Sequence, residues 1–148
     1  MSFQGIFARA GLTTDGTNLE LDTGQHVKGS RFIVTSSEFA LAELPQRIFI
    51  APAPCKLISA YEIHRVVSSD GGLMQLEKCN TGEAATAGEV MLGANFLMTS
   101  TAATPVTSNA VTTTVANMVA GDSIYTKLVS GNGTNYADGI ITATLEWL

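Results

Sequence analysis

Two histidines, two cysteines and a thin scatter of carboxylates are the groups in this chain whose types suit acid–base, nucleophilic or metal chemistry. A Ser or Cys nucleophile needs an imidazole within hydrogen-bond reach, and the candidates are His26 and His64. His26 falls in a glycine-rich segment. His64 falls in a strand-like run between Ile63 and Arg65, where it is expected as an exposed or hydrogen-bonded strand residue near Glu62. No G-x-S-x-G elbow occurs. Glu38 with Glu43, or Glu62 with Glu77, would act as an acid and base pair only in a sheet register that the sequence does not spell out. Cross-strand pairing of Glu62 and Glu77 with Lys56 or Lys78 over a hairpin is the expected arrangement instead.

The metal templates fare no better. Cys55 and Cys79 lack C-x-x-C spacing and a neighbouring His, so two free, buried thiols acting as small hydrophobes are expected, with a disulfide as the alternative. Asp15-Gly16-Thr17-Asn18 and Asp70-Gly71-Gly72 lack the acidic order and distal Glu of a calcium loop and read as turns. Asn132-Gly133-Thr134 matches a glycosylation pattern but also makes a good turn. In Gly121-Asp122 the Gly permits a tight turn and the Asp accepts backbone N–H bonds just before a strand, which predicts a turn lock. Neither a catalytic residue, nor a metal site, nor a cofactor site is expected.

Composition bounds the rest. The chain has 148 residues, enough for one core, with 45% hydrophobic residues. Its charged fraction of 14% lies well below the roughly 25% of typical soluble domains. So few charges imply an outer surface partly covered by a partner, with a monomer solvated by Thr and Ser as the alternative. The net charge of −5 and the scattered Lys and Arg argue against nucleic acid as a partner. No run approaches the ~18 apolar residues of a membrane span, and Met1-Ser2-Phe3-Gln4-Gly5 does not resemble a signal peptide, so synthesis in a cytoplasm without a membrane partner is expected.

Residues 1–30 carry Gly5, Gly11, Gly16, Gly24 and Gly29 between short apolar islands. They read as an extended N-terminal arm that gains order by lying across a neighbour, with Phe3, Ile6, Phe7 and Leu12 as its anchors and a disordered leader that touches nothing as the alternative. Residues 31–148 read as one β domain. Strands are predicted over Arg31–Thr35, Arg47–Ala51, Cys55–Val67, Leu73–Lys78, Phe96–Met98, Val106–Val115, Ile124–Val129 and Gly139–Leu148. Ser37–Leu44 suits one or two helical turns ended by Pro45, and Glu83–Ala94 suits either a short helix or a loop crossing between sheets. Asp70-Gly71-Gly72 is expected to close a hairpin. In the longest strand Cys55, Leu57, Tyr61, Ile63 and Val67 alternate with Lys56, Glu62 and His64. In the last, Ile141, Ala143, Leu145 and Trp147 take the inward face. Many short strands with Gly, Pro and Asn punctuation argue for an all-β antiparallel sandwich of jelly-roll type, with a closed barrel second.

A family resemblance joins these pieces. Ile48-Phe49-Ile50-Ala51-Pro52 with Pro54-Cys55-Lys56, the Tyr61–Val67 strand, Leu73–Glu77, Ala120-Gly121-Asp122 and the final strand resemble the β-sandwich decoration (cement) and head-fibre proteins of tailed bacteriophages. The resemblance implies a jelly-roll module on the exterior of the virion's capsid, made in the host bacterial cytoplasm. Such a module bridges neighbouring major capsid proteins and forms a small homo-oligomer, a trimer in preference to a dimer, with no catalytic residue. The alternative is a head-fibre or carbohydrate-binding module in which Tyr125, Tyr136 and Trp147 stack on a sugar or receptor.

Overall fold

The computed structural model describes residues 12–14, 19–21, 28–85, 87–110, 114–132 and 134–148. Phe3, Ile6 and Phe7 lie outside the described residues. Leu12 begins β1 (Leu12–Thr14), which pairs antiparallel with β2 (Leu19–Leu21), placing Leu12 opposite Leu21.

The remaining strands follow the β-branched and aromatic runs of the sequence. They are β3 (Arg31–Thr35), β4 (Arg47–Ile50), β5 (Cys55–Ile63), β6 (Leu73–Cys79), β7 (Glu89–Val90), β8 (Phe96–Leu97), β9 (Val106–Asn109), β10 (Asn117–Met118), β11 (Ser123–Ser130) and β12 (Ile140–Trp147). They form two antiparallel sheets. In the first the order is β3-β12-β5, with β9 and β10 in succession along the other edge of β5. In the second it is β4-β11-β6, with β7 and β8 in succession along the other edge of β6. The chain is thus an all-β sandwich. Its core draws on both sheets: Cys55, Leu57, Ala60, Ile141, Ala143 and Leu145 from the first, Met74, Leu76, Phe96 and Ile124 from the second.

Several local expectations change once tertiary contacts are present. Asp70-Gly71-Gly72 does not close a hairpin, because β5 and β6 belong to different sheets. Gly71 has a φ of 80°, so the turn chemistry was read correctly. What the dipeptide chemistry could not say is that the chain leaves one sheet for the other there. Ser37–Leu44 is not helical over its length. Phe39 bridges to Gly139 and is buried, and a single 3₁₀ turn, Leu41–Glu43, follows, with the Ala40 N–H donating to the Glu43 carboxylate at 2.6 Å. The described residues of 83–94 contain no helix. After β7 they bond to the edges of both sheets before returning to the second in β8, Met91 N–H donating to Leu76 O in the second sheet and Gly93 N–H to Asn109 O in the first, so neither the helix nor a crossing is formed. The strand expected over Val106–Val115 stops at Asn109, and 114–116 is a 3₁₀ turn.

The longest strand also changes face partway. Leu145 lies opposite Leu57 but Thr144 lies opposite Ser59, so Ile58 is an extra residue on β5. A bulge of this kind advances the alternation by one. Beyond it Ala60, Glu62 and His64 turn inward and are buried, while Tyr61 and Ile63 face outward, the reverse of the simple alternation. In β12 the expected inward face is correct: Ile141, Ala143 and Leu145 are fully buried, and the Trp147 indole stacks on Phe32 at 4.1 Å between ring centroids.

The Ala120-Gly121-Asp122 turn is locked as predicted. Gly121 has a φ of 94°, the Asp122 carboxylate accepts the Val119 N–H at 3.0 Å, and Gly121 N–H and Asp122 O bond to either side of Ala51. Cys55 and Cys79 are free and buried. Gly88 is held by close approach: a Cβ there would sit 2.8 Å from Cys79 Sγ and from Lys78 O, and 2.9 Å from Glu77 Cβ. Two of those neighbours are backbone or a Cβ, which cannot swing aside. Gly88→Ala is therefore expected to lower the urea unfolding free energy by about 1–3 kcal/mol. A variant as stable as the wild type in that titration would mean that the 87–90 segment is not seated on β6.

Candidate functional site

The densest group of buried polar side chains lies where β5 ends. Glu62 is the last inward residue of β5, and His64 follows on the same face because residues i and i+2 share a side of an extended chain. Tyr136 arrives from the connection between β11 and β12, and Ser100 from the segment between β8 and β9. Glu62 Oε1 accepts the Tyr136 hydroxyl at 2.6 Å and lies 2.8 Å from His64 Nδ1. The other ring nitrogen, Nε2, lies 3.0 Å from Ser100 O. The Tyr136 ring also packs against His64 and Phe39 at 5.2 and 5.9 Å between centroids.

None of the three side chains reaches water: Glu62 is 0% exposed, His64 1% and Tyr136 2%. Burial, then the hydrogen bond and charge of Glu62, push the Tyr136 phenol far above its ordinary value. Its proton therefore stays on oxygen and is donated to Glu62. Glu62 Oε2 and Ser100 Oγ are buried without a hydrogen-bond partner among the described residues.

Beside this cluster the surface has a concavity of about 210 Å³. Ile63 and Ile140 meet there from neighbouring positions on β5 and β12, together with His64, Ala103, Glu38 and the Arg65–Asp138 ion pair. Ala103 and Asp138 both have positive φ, 56° and 55°, and the Ala103 N–H donates to His64 O at 2.7 Å. His64 thus touches the concavity, but both of its ring nitrogens are already committed, one to Glu62 and one to Ser100 O. A base needs a free lone pair aimed at a substrate, and this imidazole offers none. The arrangement ties β5, the β8–β9 segment and the β11–β12 connection to one carboxylate.

The carboxylate pairings expected from the sequence are not formed. Glu62 and Glu77 sit in different sheets. Glu77 pairs with Lys127 across β6 and β11 at 2.9 Å, and Lys56 pairs with Glu146 across β5 and β12 at 2.9 Å. Asp70 serves the turn at the same end of the molecule, its two oxygens accepting the Thr134 N–H at 2.8 Å and the Thr134 hydroxyl at 2.6 Å. Those bonds, led by the hydroxyl, hold the Asp70 carboxyl below its usual value. Among the described residues no group of three or more His, Cys, Asp and Glu converges as a metal site, and no helix is long and apolar enough to cross a membrane.

The aromatic platform of the alternative reading is not assembled. Tyr136 is in the core, Trp147 is stacked on Phe32, and Tyr125 is half-buried beside Glu77 on the second sheet. Sequence reasoning placed His64 near Glu62 but missed Tyr136, which is 74 residues from Glu62 in the chain. The available signal was the pair of polar residues at i and i+2 beyond the Ile58 bulge. No protein-family description, curated protein or solved structure matches the chain.

Two outcomes are expected from this geometry. Tyr136→Phe removes the hydroxyl donor from a buried carboxylate while keeping the ring, and chemical denaturation should show a loss of about 1–3 kcal/mol. Equal stability would mean that the hydroxyl is not what satisfies Glu62. The second concerns alkaline pH. Burial, then the charge of Asp122, push the Cys55 thiol from 9.0 up to about 11, and Tyr136 is raised in the same sense. A raised acid contributes stability in full below its unfolded value and loses it as the unfolded chain ionises first, so stability should fall from about pH 9 upward. Cys55→Ala should flatten the pH 9–11 part of that fall, and Tyr136→Phe the part above about pH 10. Parallel curves for wild type and both variants would contradict the assignment.

Proposed function

We propose that this protein is a structural virion component, a decoration or cement protein that binds the outside of a phage head and bridges neighbouring major capsid proteins. Its sandwich is a jelly roll, and the observation that carries the reading is the strand order. Sheet β3-β12-β5-β9/β10 is stacked with sheet β4-β11-β6-β7/β8, and every connection from β3 onward changes sheet except those from β6 to β7, β7 to β8 and β9 to β10. Repeated changes of sheet of this kind are what a double-sheet jelly roll requires, and they support that reading.

The outward side of the first sheet supports the reading further. Its rows run Thr35–Thr142–Tyr61–Thr107 and Ile33–Thr144–Ser59–Asn109, without a charge in either. Charge enters only in the next row, where Arg31 and Lys56 share the one carboxylate of Glu146. A broad neutral β surface of small hydroxyl and apolar side chains suits repeated docking on a protein lattice, where weakly hydrated area is cheap to cover. The N-terminal arm, with Phe3, Ile6, Phe7 and Leu12, adds a second grip on the neighbouring subunit. The committed nitrogens of His64 fit a protein that binds without turning over a substrate.

Purified protein mixed with undecorated heads of tailed phages should bind to saturation at a fixed number of copies and raise the heat resistance of the particles. Deleting Met1–Leu12 should weaken attachment and leave the circular dichroism and thermal midpoint of the free protein unchanged. If the truncated chain decorates heads as well as the full one, the arm does not grip; if neither binds any head, the decoration reading fails.

A further inference from the structure

The sandwich has four lateral edges, and three are guarded against pairing. β7 and β8 are two residues each, and β9 and β10 are four and two, with Pro105 ahead of β9. β4 is four residues between Pro45 and Pro52, and its register on β11 breaks between Ile124 and Tyr125. Short strands, prolines and irregular register are the usual means of blunting an edge. β3 has none of them. It runs five residues in unbroken register on β12, its other edge takes no strand among the described residues, and at its centre stands Ile33, 68% exposed.

The backbone groups of that edge can be assigned. Ser36 N–H donates to Ile141 O across the β3–β12 ladder. Antiparallel alternation then turns Val34 and Phe32 toward β12 as well, and directs the N–H and C=O of Thr35, Ile33 and Arg31 away from the sheet. The same three residues carry the outward side chains.

We propose that the β3 edge is an interface with a second copy of this chain, the two β3 strands pairing antiparallel about a two-fold axis through Ile33. In that register Ile33 meets Ile33 of the other copy, and Arg31 meets Thr35, so each of the three outward residues exchanges both of its backbone hydrogen bonds. The charges choose this register. Arg31 is the sole charged side chain of β3, and the two-fold sets the two arginines four residues apart, about 13 Å along the strand, beyond the reach of strong repulsion at physiological salt. The contact would also join the neutral outer face of the first sheet to its symmetry mate as one continuous sheet. A contact of this kind makes dimers, where the resemblance implies trimers. It goes beyond the decoration reading and stands without it.

Sedimentation velocity on the full-length protein, without capsids, tests it. The wild type should sediment as a dimer, and Ile33→Lys as a monomer with an unchanged circular dichroism spectrum, since that side chain is exposed. Thr35→Arg should also dissociate the dimer, by setting an arginine opposite each Arg31, and adding Arg31→Thr to it should restore the dimer by exchanging the two ends of the strand. Rescue by the double variant is something that a merely destabilised fold cannot show. A wild type that stays monomeric at micromolar concentration, or a trimer indifferent to Ile33→Lys, overturns the proposal. So does a dimer that appears only after residues 1–27 are removed, which would make the chain's own N-terminal segment the occupant, or an extended peptide that copurifies on the edge. Head binding by the Ile33→Lys monomer would leave the decoration reading standing whatever the fate of the dimer.

Discussion

A carboxylate removed from water at the end of the longest strand governs how this molecule is put together. Glu62 is fully buried, and a buried carboxylate is tolerated only where donors converge on it. One partner comes from far along the chain, the Tyr136 hydroxyl from the connection into the last strand, and the other, the imidazole of His64, from just past the end of β5. His64 in turn reaches the carbonyl of Ser100 in a third segment. Three irregular segments at one end of the sandwich are therefore committed to a single conformation by one charge-bearing group. Both nitrogens of the imidazole at their centre are committed within this network.

That constraint is a consequence of the winding. Because β5 leads into β6 in the opposite sheet, and β11 into β12, the connections at this end must span the thickness of the core. A long connection crossing a core carries backbone and side-chain polar groups with it, and they must find partners. Asp70 with Thr134 joins the two connections directly, and Glu62 with Tyr136 ties the end of β5 to the second of them. The apolar layers hold the sheets face to face; these polar pairs hold the ends in register.

The strands were legible in the sequence because period-two alternation and Gly, Pro and Asn punctuation are local signals. Arg31–Thr35, Arg47–Ile50 and the inward face of β12 could be read from a few residues each. The same signals misled wherever the answer was not local. Asp70-Gly71-Gly72 has the backbone freedom of a hairpin turn, and the identical chemistry serves a crossing between sheets, since a turn residue knows its own φ and not the destination of the chain. The strand from Cys55 was followed correctly as far as Leu57. There Ile58, an ordinary strand residue in type, is bulged, and every later side chain changes sides. That one residue converted Glu62 and His64 from expected surface groups into the polar centre of the core. The surface position that the alternative reading needs for Tyr136 fails for a related reason: its place depends on a carboxylate 74 residues away.

The interactions that make the fold and those left available for assembly fall on different atoms. Inward of β3, Phe32 packs on Trp147 and Phe49, and the strand's inward backbone groups are spent on β12. Outward, Ile33 and the N–H and C=O groups of Arg31, Ile33 and Thr35 contribute to none of this. The ion pairs nearest to them, Arg31 and Lys56 with Glu146, are partly exposed and contribute little to stability in such settings. Selection acting on stability alone would leave that edge free to acquire a lysine or a proline, the changes that keep strands apart in other proteins. An apolar residue at the centre of the one unbroken edge, in a chain that has blunted its other three, is better accounted for by a partner that covers it.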